Sequence, residues 1–344
     1  MTQGVLPPVH HGGDPVRLLA SFPDAPRPLV DLSTGINPWS YDVGPLAETS
    51  WRGLPGDAAL SALLDAAGLA YGAPPGRLVA APGTQALIQI LPRLRPRCRV
   101  AVLAPTYAEH ARRWLAEGHE IREVAGIDEA ASPGADVVVL CNPNNPDGRI
   151  VPPDRVLDIA RDIGRRGGWL VVDEAFADCD PATSVLPLVT GEGPKDGLVV
   201  LRSFGKFYGL AGLRLGFALA PAAVRAAIAD HLGPWSVSGP AAEIGARALG
   251  DVGWRDATRR RLRAAMEGLV SLLAGAGLEV VGGTSLFVLV RHRRAAALAE
   301  ALGKAGIATR DFPERRCDLR FGLPPDEAAW ARLSAVLSGW RDAC

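Results

Sequence analysis

Short apolar runs alternate with helical or glycine-rich segments along the middle of the chain. The apolar runs suit buried strands and lie at Leu78–Ala81, Arg99–Ala104, Asp136–Cys141, Gly168–Val172, Leu198–Leu201 and Leu215–Ala220. Parallel strands are joined by crossover helices that cover both faces of the sheet, so their sequences are apolar throughout. The pattern therefore predicts an α/β domain built on a parallel sheet.

The regions on either side of this repeat have different patterns. Residues 1–45 are rich in proline and glycine, which predicts an extended N-terminal arm, and residues 57–70 have helical apolar spacing. Beyond the repeat, the patterns predict a long helical region from about Pro240 to Gly275, strands at Leu278–Val281, Leu286–Val290 and Asp318–Phe321, and helices at Ala295–Ala305 and Asp326–Trp340. We therefore expect an arm (1–45) that joins the small domain, a large domain (46–238) and a small α+β domain (239–344).

Composition and charge limit the possible partners of the chain. Its 344 residues favour two domains, and 37 basic residues balance 37 acidic ones. A balanced charge gives no support to binding of nucleic acid or a membrane surface, and no apolar run reaches the ~18 residues of a membrane span. The five cysteines form no C-x-x-C pair, and no signal peptide is apparent. We expect a cytoplasmic protein without a metal site.

Polar and aromatic residues follow five of the predicted strands. These segments are Gly83-Thr84-Gln85, Pro105-Thr106-Tyr107, the asparagine-rich turn 142–148, Asp173-Glu174-Ala175-Phe176 and Ser203–Lys206. Parallel sheets bind ligands beyond the carboxyl ends of their strands, so these residues predict a ligand site. Each also has a simpler interpretation. Thr84 could cap a helix and Asn145 could form a turn, while Tyr107 could fill the core and Asp173 could pair with an arginine.

The segment from Ser203 to Gly216 carries the strongest chemical signal. Lys206 lies among small and apolar residues, where burial would lower the pKa of its amine. Arg214 offers a planar fork for a phosphate, and the glycines let backbone approach a bound group. A lysine of this kind beside a phosphate site predicts a carbonyl cofactor bound through the lysine. A glycine-rich loop with a surface lysine and arginine is the alternative.

Together, the five strand ends match one cofactor, pyridoxal phosphate (PLP). A helix that begins at residues 83–85 suits its phosphate, and Tyr107 suits its aromatic face. Asp173 would pair with a protonated ring nitrogen, Asn145 with a ring oxygen, and Lys206 with the aldehyde.

The order of these motifs resembles the fold-type I, class I/II aminotransferase superfamily over nearly the whole chain. The motifs are Asn-Pro-x-Asn-Pro-x-Gly at 142–148, Asp-Glu-Ala at 173–175 and Ser-x-x-Lys-x-x-Gly-x-x-Gly-x-Arg-x-Gly at 203–216. The resemblance implies the PLP-dependent transferase fold type I, with a mostly parallel seven-stranded sheet, and a homodimer. It assigns catalysis to Lys206, Asp173 and Tyr107. It assigns cofactor binding to these three and to Gly83, Thr84, Gln85, Asn145, Ser203 and Arg214.

Within the superfamily, four segments resemble the threonine-phosphate decarboxylases of cobalamin biosynthesis, which are similar to histidinol-phosphate aminotransferases. These segments are His11-Gly12-Gly13-Asp14, Gly35-Ile36-Asn37-Pro38, Asp173-Glu174-Ala175-Phe176 and Lys206-Phe207-Tyr208. The resemblance implies decarboxylation of L-threonine O-3-phosphate to (R)-1-aminopropan-2-ol O-phosphate. A histidinol-phosphate-type aminotransferase and a non-catalytic PLP-fold binding protein are the alternatives. A phosphorylated amino acid would be bound by His11, Gly35, Ile36, Asn37 and Arg320, although a histidine next to glycines is often merely exposed.

At several positions the chain departs from the superfamily pattern. Gly205 replaces a hydroxyl residue that usually binds phosphate, and Phe176 replaces a tyrosine that helps to hold the ring oxygen. Leu54 stands where a tyrosine often reaches the neighbouring subunit, and Asp147 replaces a threonine of the turn. We therefore expect cofactor binding to depend more strongly on Arg214 and on backbone amides.

Overall fold

A computed structural model describes residues 11–74, 76–189 and 197–342, which form two compact units. The larger unit contains residues 41–145 and 150–255, and the smaller one contains residues 11–40, 146–149 and 256–342 of the described chain. This division differs from the predicted boundary at residue 238. It keeps residues 239–255 with the larger unit because the helix that begins at Gly239 packs against the helix Asp57–Tyr71.

The strands of the described residues are numbered in chain order. They are β1 (Val30–Asp31), β2 (Leu78–Ala81), β3 (Arg99–Leu103), β4 (Glu120–Val124), β5 (Val137–Cys141), β6 (Trp169–Asp173), β7 (Leu198–Ser203), β8 (Gly216–Leu219), β9 (Glu279–Thr284), β10 (Phe287–Arg291), β11 (Ile307–Ala308), β12 (Arg310–Asp311) and β13 (Asp318–Gly322).

The α-helices of the described residues are numbered in the same way. They are α1 (Leu18–Ser21), α2 (Glu48–Arg52), α3 (Asp57–Tyr71), α4 (Thr84–Ile90), α5 (Glu109–Ala116), α6 (Ile127–Ala130), α7 (Pro153–Arg165), α8 (Phe204–Phe207), α9 (Ala222–Leu232), α10 (Gly239–Gly250), α11 (Val252–Gly275), α12 (Ala295–Lys304) and α13 (Glu327–Asp342). No helix of the described residues is both long enough and apolar enough to cross a membrane.

A seven-stranded sheet forms the centre of the larger unit. Its strand order is β2-β8-β7-β6-β5-β3-β4, and β8 runs antiparallel to β2 and β7 while the other neighbouring pairs are parallel. This arrangement confirms the predicted mostly parallel sheet. The central strands β5, β6 and β7 are almost wholly buried, as their continuous apolar sequences require. The carboxyl ends of β5, β6 and β7 lie side by side and carry the predicted site residues.

Strand β4 is absent from the sequence-based prediction. Its sequence, Glu-Ile-Arg-Glu-Val, is mostly charged and exposed because the strand lies at the edge of the sheet, paired only with β3 in the described residues. An edge strand has one open side, so it need not be apolar and can carry charges. Its sequence therefore lacked the apolar run that identified the other strands.

The smaller unit has a four-stranded antiparallel sheet in the order β12-β13-β10-β9 and a short parallel pair, β1 with β11. The long helical region predicted from about Pro240 to Gly275 is helical and consists of two helices, α10 and α11. The two helices are separated at Asp251, whose carboxylate accepts a hydrogen bond from the backbone N–H of Trp254 in the first turn of α11.

Candidate active site

Asp173 lies at the carboxyl end of β6 and binds a buried histidine. Its Oδ2 atom is 2.9 Å from Nε2 of His110, which the second position of α5 provides. Its Oδ1 atom accepts a hydrogen bond from the Ala175 amide at 3.1 Å. Both side chains are almost fully buried. His110 was not predicted as this partner, for which the sequence suggested a ring nitrogen or an arginine. The Tyr107-x-x-His110 spacing nevertheless places both residues near one helix start.

The environment of His110 favours its charged form. Burial alone would lower the pKa of the imidazole, but the neighbouring Cys141 sulfur and the hydrogen bond with Asp173 outweigh it and raise this pKa to about 10. One ligand atom from each of these three residues lies within 4.8 Å of the others. The Asp173 carboxyl group, held by two hydrogen bonds, suits a further polar partner. Because the same three groups could also ligate a metal ion, the expected absence of a metal site stays a prediction.

The ring of Tyr107 is held by a chain of side chains between α4 and α5. Its hydroxyl donates to Oε1 of Gln85 at 3.3 Å, and the Gln85 amide donates to Glu109 at 3.1 Å. The ring edge meets His110 with centroids 5.9 Å apart. Burial, with the nearby charges of Glu109 and Asp173, raises the pKa of Tyr107, so its phenol stays neutral. The Tyr107 hydroxyl is held by this hydrogen bond and the ring packs against the core, while its stacking on a cofactor stays a prediction.

The start of α4 and Arg214 form a cationic corner. Gly83 has a φ of 83°, and a Cβ atom there would lie 2.5 Å from Nη2 of Arg214, so the guanidinium packs directly on the Gly83 backbone. Gly83 is the N-cap of α4, and no side chain caps this helix. The interpretation of Thr84 as a simple N-cap is therefore wrong. Free amides at a helix start beside a guanidinium favour a bound anion.

Lys206 belongs to the short helix α8, which follows β7 and Ser203 directly. Its side chain is half-buried, while Phe204 and Phe207 on either side of it are buried. The ring of Tyr208 is stacked on Phe204 at 4.3 Å and on Trp254 at 5.5 Å. This aromatic stack gives the lysine helix a rigid support. The lowered pKa expected for the Lys206 amine stays a prediction.

The asparagine-rich turn is anchored by two of its three asparagines. The Asn142 side chain exchanges two hydrogen bonds with the Val151 backbone. The backbone N–H of Asn142 donates to the Asp173 carbonyl at 2.8 Å. Asn144 accepts from the Thr106 hydroxyl at 2.7 Å. Asn145 follows them and is half-buried. The turn therefore connects the end of β5 with the end of β6, where Asp173 lies.

In the smaller unit, Arg320 on β13 is buried and lies directly opposite Arg310 on β12. Its Nη2 atom donates to the Ser33 carbonyl at 2.9 Å. Burial and the charge of Arg310 lower the pKa of Arg320 to about 10, and burial also lowers the pKa of Arg310. Two cations on one face of a sheet form a strong anion site. Arg320 was predicted as a substrate residue, whereas Arg310, on the short edge strand β12, was not.

Gly12 and Gly13 of the N-terminal arm lie beside Ser33, whose carbonyl binds Arg320. A Cβ atom on Gly12 would lie 2.4 Å from this oxygen, and the Gly13 amide donates to the Ser33 hydroxyl at 2.9 Å. Gly12 and Arg320 therefore both lie at the Ser33 carbonyl, and His11, the neighbour of Gly12 in the chain, is exposed.

The other predicted substrate residues continue from Ser33 along the same segment. Gly35 is buried and Ile36 is half-buried. Asn37 is buried and its Oδ1 atom accepts from the Trp39 amide at 2.9 Å, so its side chain also shapes the turn.

Comparisons with known proteins show the family of the chain and its fold. A curated threonine-phosphate decarboxylase from Pseudomonas aeruginosa is 45% identical over 97% of this chain and 98% of that relative. The fold is similar to that of a histidinol-phosphate aminotransferase from Sinorhizobium meliloti in complex with pyridoxal-5'-phosphate (TM-score 0.80, 20% identity, 100% of this chain and 98% of that one). It is also similar to L-threonine-O-3-phosphate decarboxylase from Porphyromonas gingivalis (TM-score 0.73, 22% identity, 90% and 99%). The model of the family "Aminotransferase class I and II" matches residues 59–336, and the chain belongs to this family.

Proposed function

We propose that this chain is a PLP-dependent decarboxylase that converts L-threonine O-3-phosphate to (R)-1-aminopropan-2-ol O-phosphate, a step of cobalamin biosynthesis. The observation that carries the proposal is the pair of Arg310 and Arg320, which suits a substrate with two anionic groups. The proposal is supported by the P. aeruginosa relative, a threonine-phosphate decarboxylase matched over 97% of this chain.

The larger unit has the groups that PLP requires. The backbone at Gly83 lies against the Arg214 guanidinium, which leaves no room for a side chain and suits a phosphate. The buried carboxylate of Asp173 suits a protonated ring nitrogen, and the Tyr107 ring suits stacking. We assign the remaining contacts to Thr84, Gln85, Asn145, Ser203 and Lys206. When bound, PLP would supply an electron sink for the pair left behind when a bond at the substrate Cα breaks.

The catalytic roles of the protein groups follow from their chemistry. Lys206 would bind the cofactor and, once displaced by the substrate amine, its Nζ atom could deliver a proton to Cα after CO₂ leaves. Asp173 would pair with the ring nitrogen, because hydrogen bonds with His110 and the Ala175 amide hold its carboxyl group in place. Tyr107 would fix the ring plane. Gly205 leaves the phosphate without one side-chain hydroxyl, so Arg214 carries more of this contact.

The substrate anions are assigned to the smaller unit. We assign the carboxylate to Arg320, whose planar fork can bind it with two hydrogen bonds. We assign the phosphate to Arg310 and His11, with Gly35, Ile36 and Asn37 shaping the segment beside them. The buried Arg320 and the half-buried Arg310 repel each other. A substrate that carries both a carboxylate and a phosphate would relieve this repulsion.

We also propose a homodimer and a cytoplasmic location. Two large apolar side chains of the larger unit, Trp51 on α2 and Leu54 just after it, are each 68% exposed. Exposed apolar side chains that lie together favour a protein interface, here one between two copies of the chain. The location rests on the spacing of the cysteines in the sequence.

The test of this proposal is an assay with three substrates. The PLP-loaded protein is incubated with L-threonine phosphate, with L-threonine, and with histidinol phosphate plus 2-oxoglutarate. We expect CO₂ and the phosphorylated amine from the first substrate alone, no product from K206A, and a KM raised at least about tenfold in R310M, since each lost ionic contact to phosphate costs about 1.5–3 kcal/mol. Glutamate formation from 2-oxoglutarate would support the aminotransferase, and a protein that binds no PLP would support the non-catalytic alternative.

A further inference from the structure

A buried ionic network is formed by residues next to Asp173 and Ser203, two residues of the proposed cofactor site. Arg202, the residue before Ser203 on β7, donates to Glu174 at 3.0 Å and to Asp178 at 2.6 Å. Its guanidinium carbon lies 4.3 Å from the ring centre of Tyr71. All three charged side chains are at least 96% buried, and none of them takes part in the chemistry described above.

Glu174 is tied to the loop that follows β6. Its carboxylate accepts hydrogen bonds from the Ser184 hydroxyl at 2.5 Å and from the Val185 amide at 2.7 Å. Arg202 also reaches the Ser184 hydroxyl at 3.3 Å. Burial raises the pKa of Glu174 and the charge of Arg202 opposes this rise. The network therefore joins β7 to both ends of the segment 174–185.

The position of this network in the sheet shows what it holds. In the described residues, Asp173 and Leu201 form the last register pair of β6 and β7, and the Glu174 amide adds one more bond to the Leu201 carbonyl at 2.9 Å. Beyond this bond the β6–β7 ladder ends, although Arg202 and Ser203 still pair with β8. The side chain of Arg202 continues the connection between the two strands beyond the last backbone bond.

We infer that Arg202, through Glu174 and Asp178, is a positioning residue that fixes the distance between Asp173 and Lys206. Asp173 is the neighbour of Glu174 in the chain, and Lys206 lies four residues beyond Arg202. The inference rests on the proposed function only in that these two residues would both hold PLP. A fixed separation matters because a site must keep its groups within about 0.5 Å of their productive positions.

The test compares R202M with V200A, a core substitution in the same strand at a fully buried position. Three quantities are measured: the PLP dissociation constant, the visible circular dichroism per mole of bound PLP, and the thermal midpoint. We expect R202M to weaken PLP binding about tenfold or more and to lower the dichroism per bound cofactor. V200A should lower the thermal midpoint alone. R202K, which keeps the charge and part of the hydrogen bonding, should recover part of both cofactor signals.

A second variant covers the case in which R202M does not fold, because removal of Arg202 leaves two buried acids without their cation. The triple variant R202M/E174Q/D178N removes all three charges together and should keep the fold while weakening PLP binding to a similar extent. Equal effects of R202M and V200A on all three quantities, or unchanged PLP binding and dichroism in the folded triple variant, would overturn the inference. Failure to release CO₂ would contradict the proposed reaction and leave these cofactor measurements unaffected.

Discussion

At the residue scale, His110 determines the electrostatic environment of Asp173. The carboxylate is buried at the end of β6, where an uncompensated negative charge would be costly. The imidazole provides a hydrogen bond and, in its charged form, the compensating charge. This partner places a cation beside the buried Asp173 carboxylate before any ligand arrives, which suits a group that pairs with a ring nitrogen.

The His110–Asp173 pair should make the stability of the cofactor-free protein depend on pH. The folded-state pKa of His110, about 10, lies above its ordinary value of 6.5. The pair therefore makes its full contribution to the free energy of unfolding below pH 6.5, about 3–5 kcal/mol for an intact buried pair. This contribution declines as the pH rises through about 10. Denaturant unfolding should show that the difference in the free energy of unfolding between wild type and H110F becomes smaller from pH 6.5 to about 10.

The matched control is H119F, which changes another buried histidine. His119 binds the Pro92 carbonyl rather than a carboxylate. Its substitution removes a buried imidazole and leaves the His110–Asp173 pair in place, so it measures the loss of packing alone. A difference between wild type and H110F that grows with pH would show that the pair does not stabilise the charged imidazole.

Gly205 is fixed by packing. A Cβ atom at this position would lie 2.8 Å from Cα of Ala211, so a serine cannot be added without moving backbone. We predict that G205S lowers stability by about 1–3 kcal/mol and does not tighten PLP binding, because the added hydroxyl displaces the lysine helix. Thermal denaturation and PLP titration measure the two effects. Tighter PLP binding at unchanged stability would show that the hydroxyl alone was missing.

At the element scale, the start of α4 depends on a glycine in a left-handed conformation. Gly83 has a φ of 83° and contacts Arg214, so an added methyl group strains the backbone and displaces the guanidinium. We predict that G83A weakens PLP binding about tenfold or more, as measured by equilibrium titration. The control is G212A, because a Cβ atom on Gly212 would meet nothing within 4 Å. Equal effects of the two substitutions would contradict the role given to the Gly83–Arg214 contact.

The elements themselves were largely predictable from the sequence. The buried strands were identified because burial on both faces makes them continuously apolar, and β2 was predicted with its bounds correct. The edge strand β4 was missed because it is charged, and the break at Asp251 was missed because the helical pattern continues across it. The partnerships of His110 and Arg310 were also missed. They depend on how strands and helices pack, which the spacing of residues along the chain does not report.

At the scale of the whole molecule, the exposed side chains of Trp51 and Leu54 define a surface that we assign to the dimer. We predict that W51E shifts the protein toward monomers in sedimentation velocity, because a buried charge at an interface is costly. L115E is the control, since Leu115 is an exposed leucine of α5 that is not part of this surface. A wild-type protein that sediments as a monomer would contradict the proposed dimer.

In the proposed reaction the bond from Cα to the carboxylate breaks, and the bond from Cα to hydrogen stays intact. A reaction of carboxyl-labelled L-threonine phosphate in heavy water, followed by mass spectrometry of the amine and trapping of the released CO₂, distinguishes the two bonds. We expect one labelled CO₂ for each amine formed and one deuterium on the former Cα, with no requirement for a keto acid. A product that retains the label as a keto acid, formed only when 2-oxoglutarate is present, would contradict the proposed reaction.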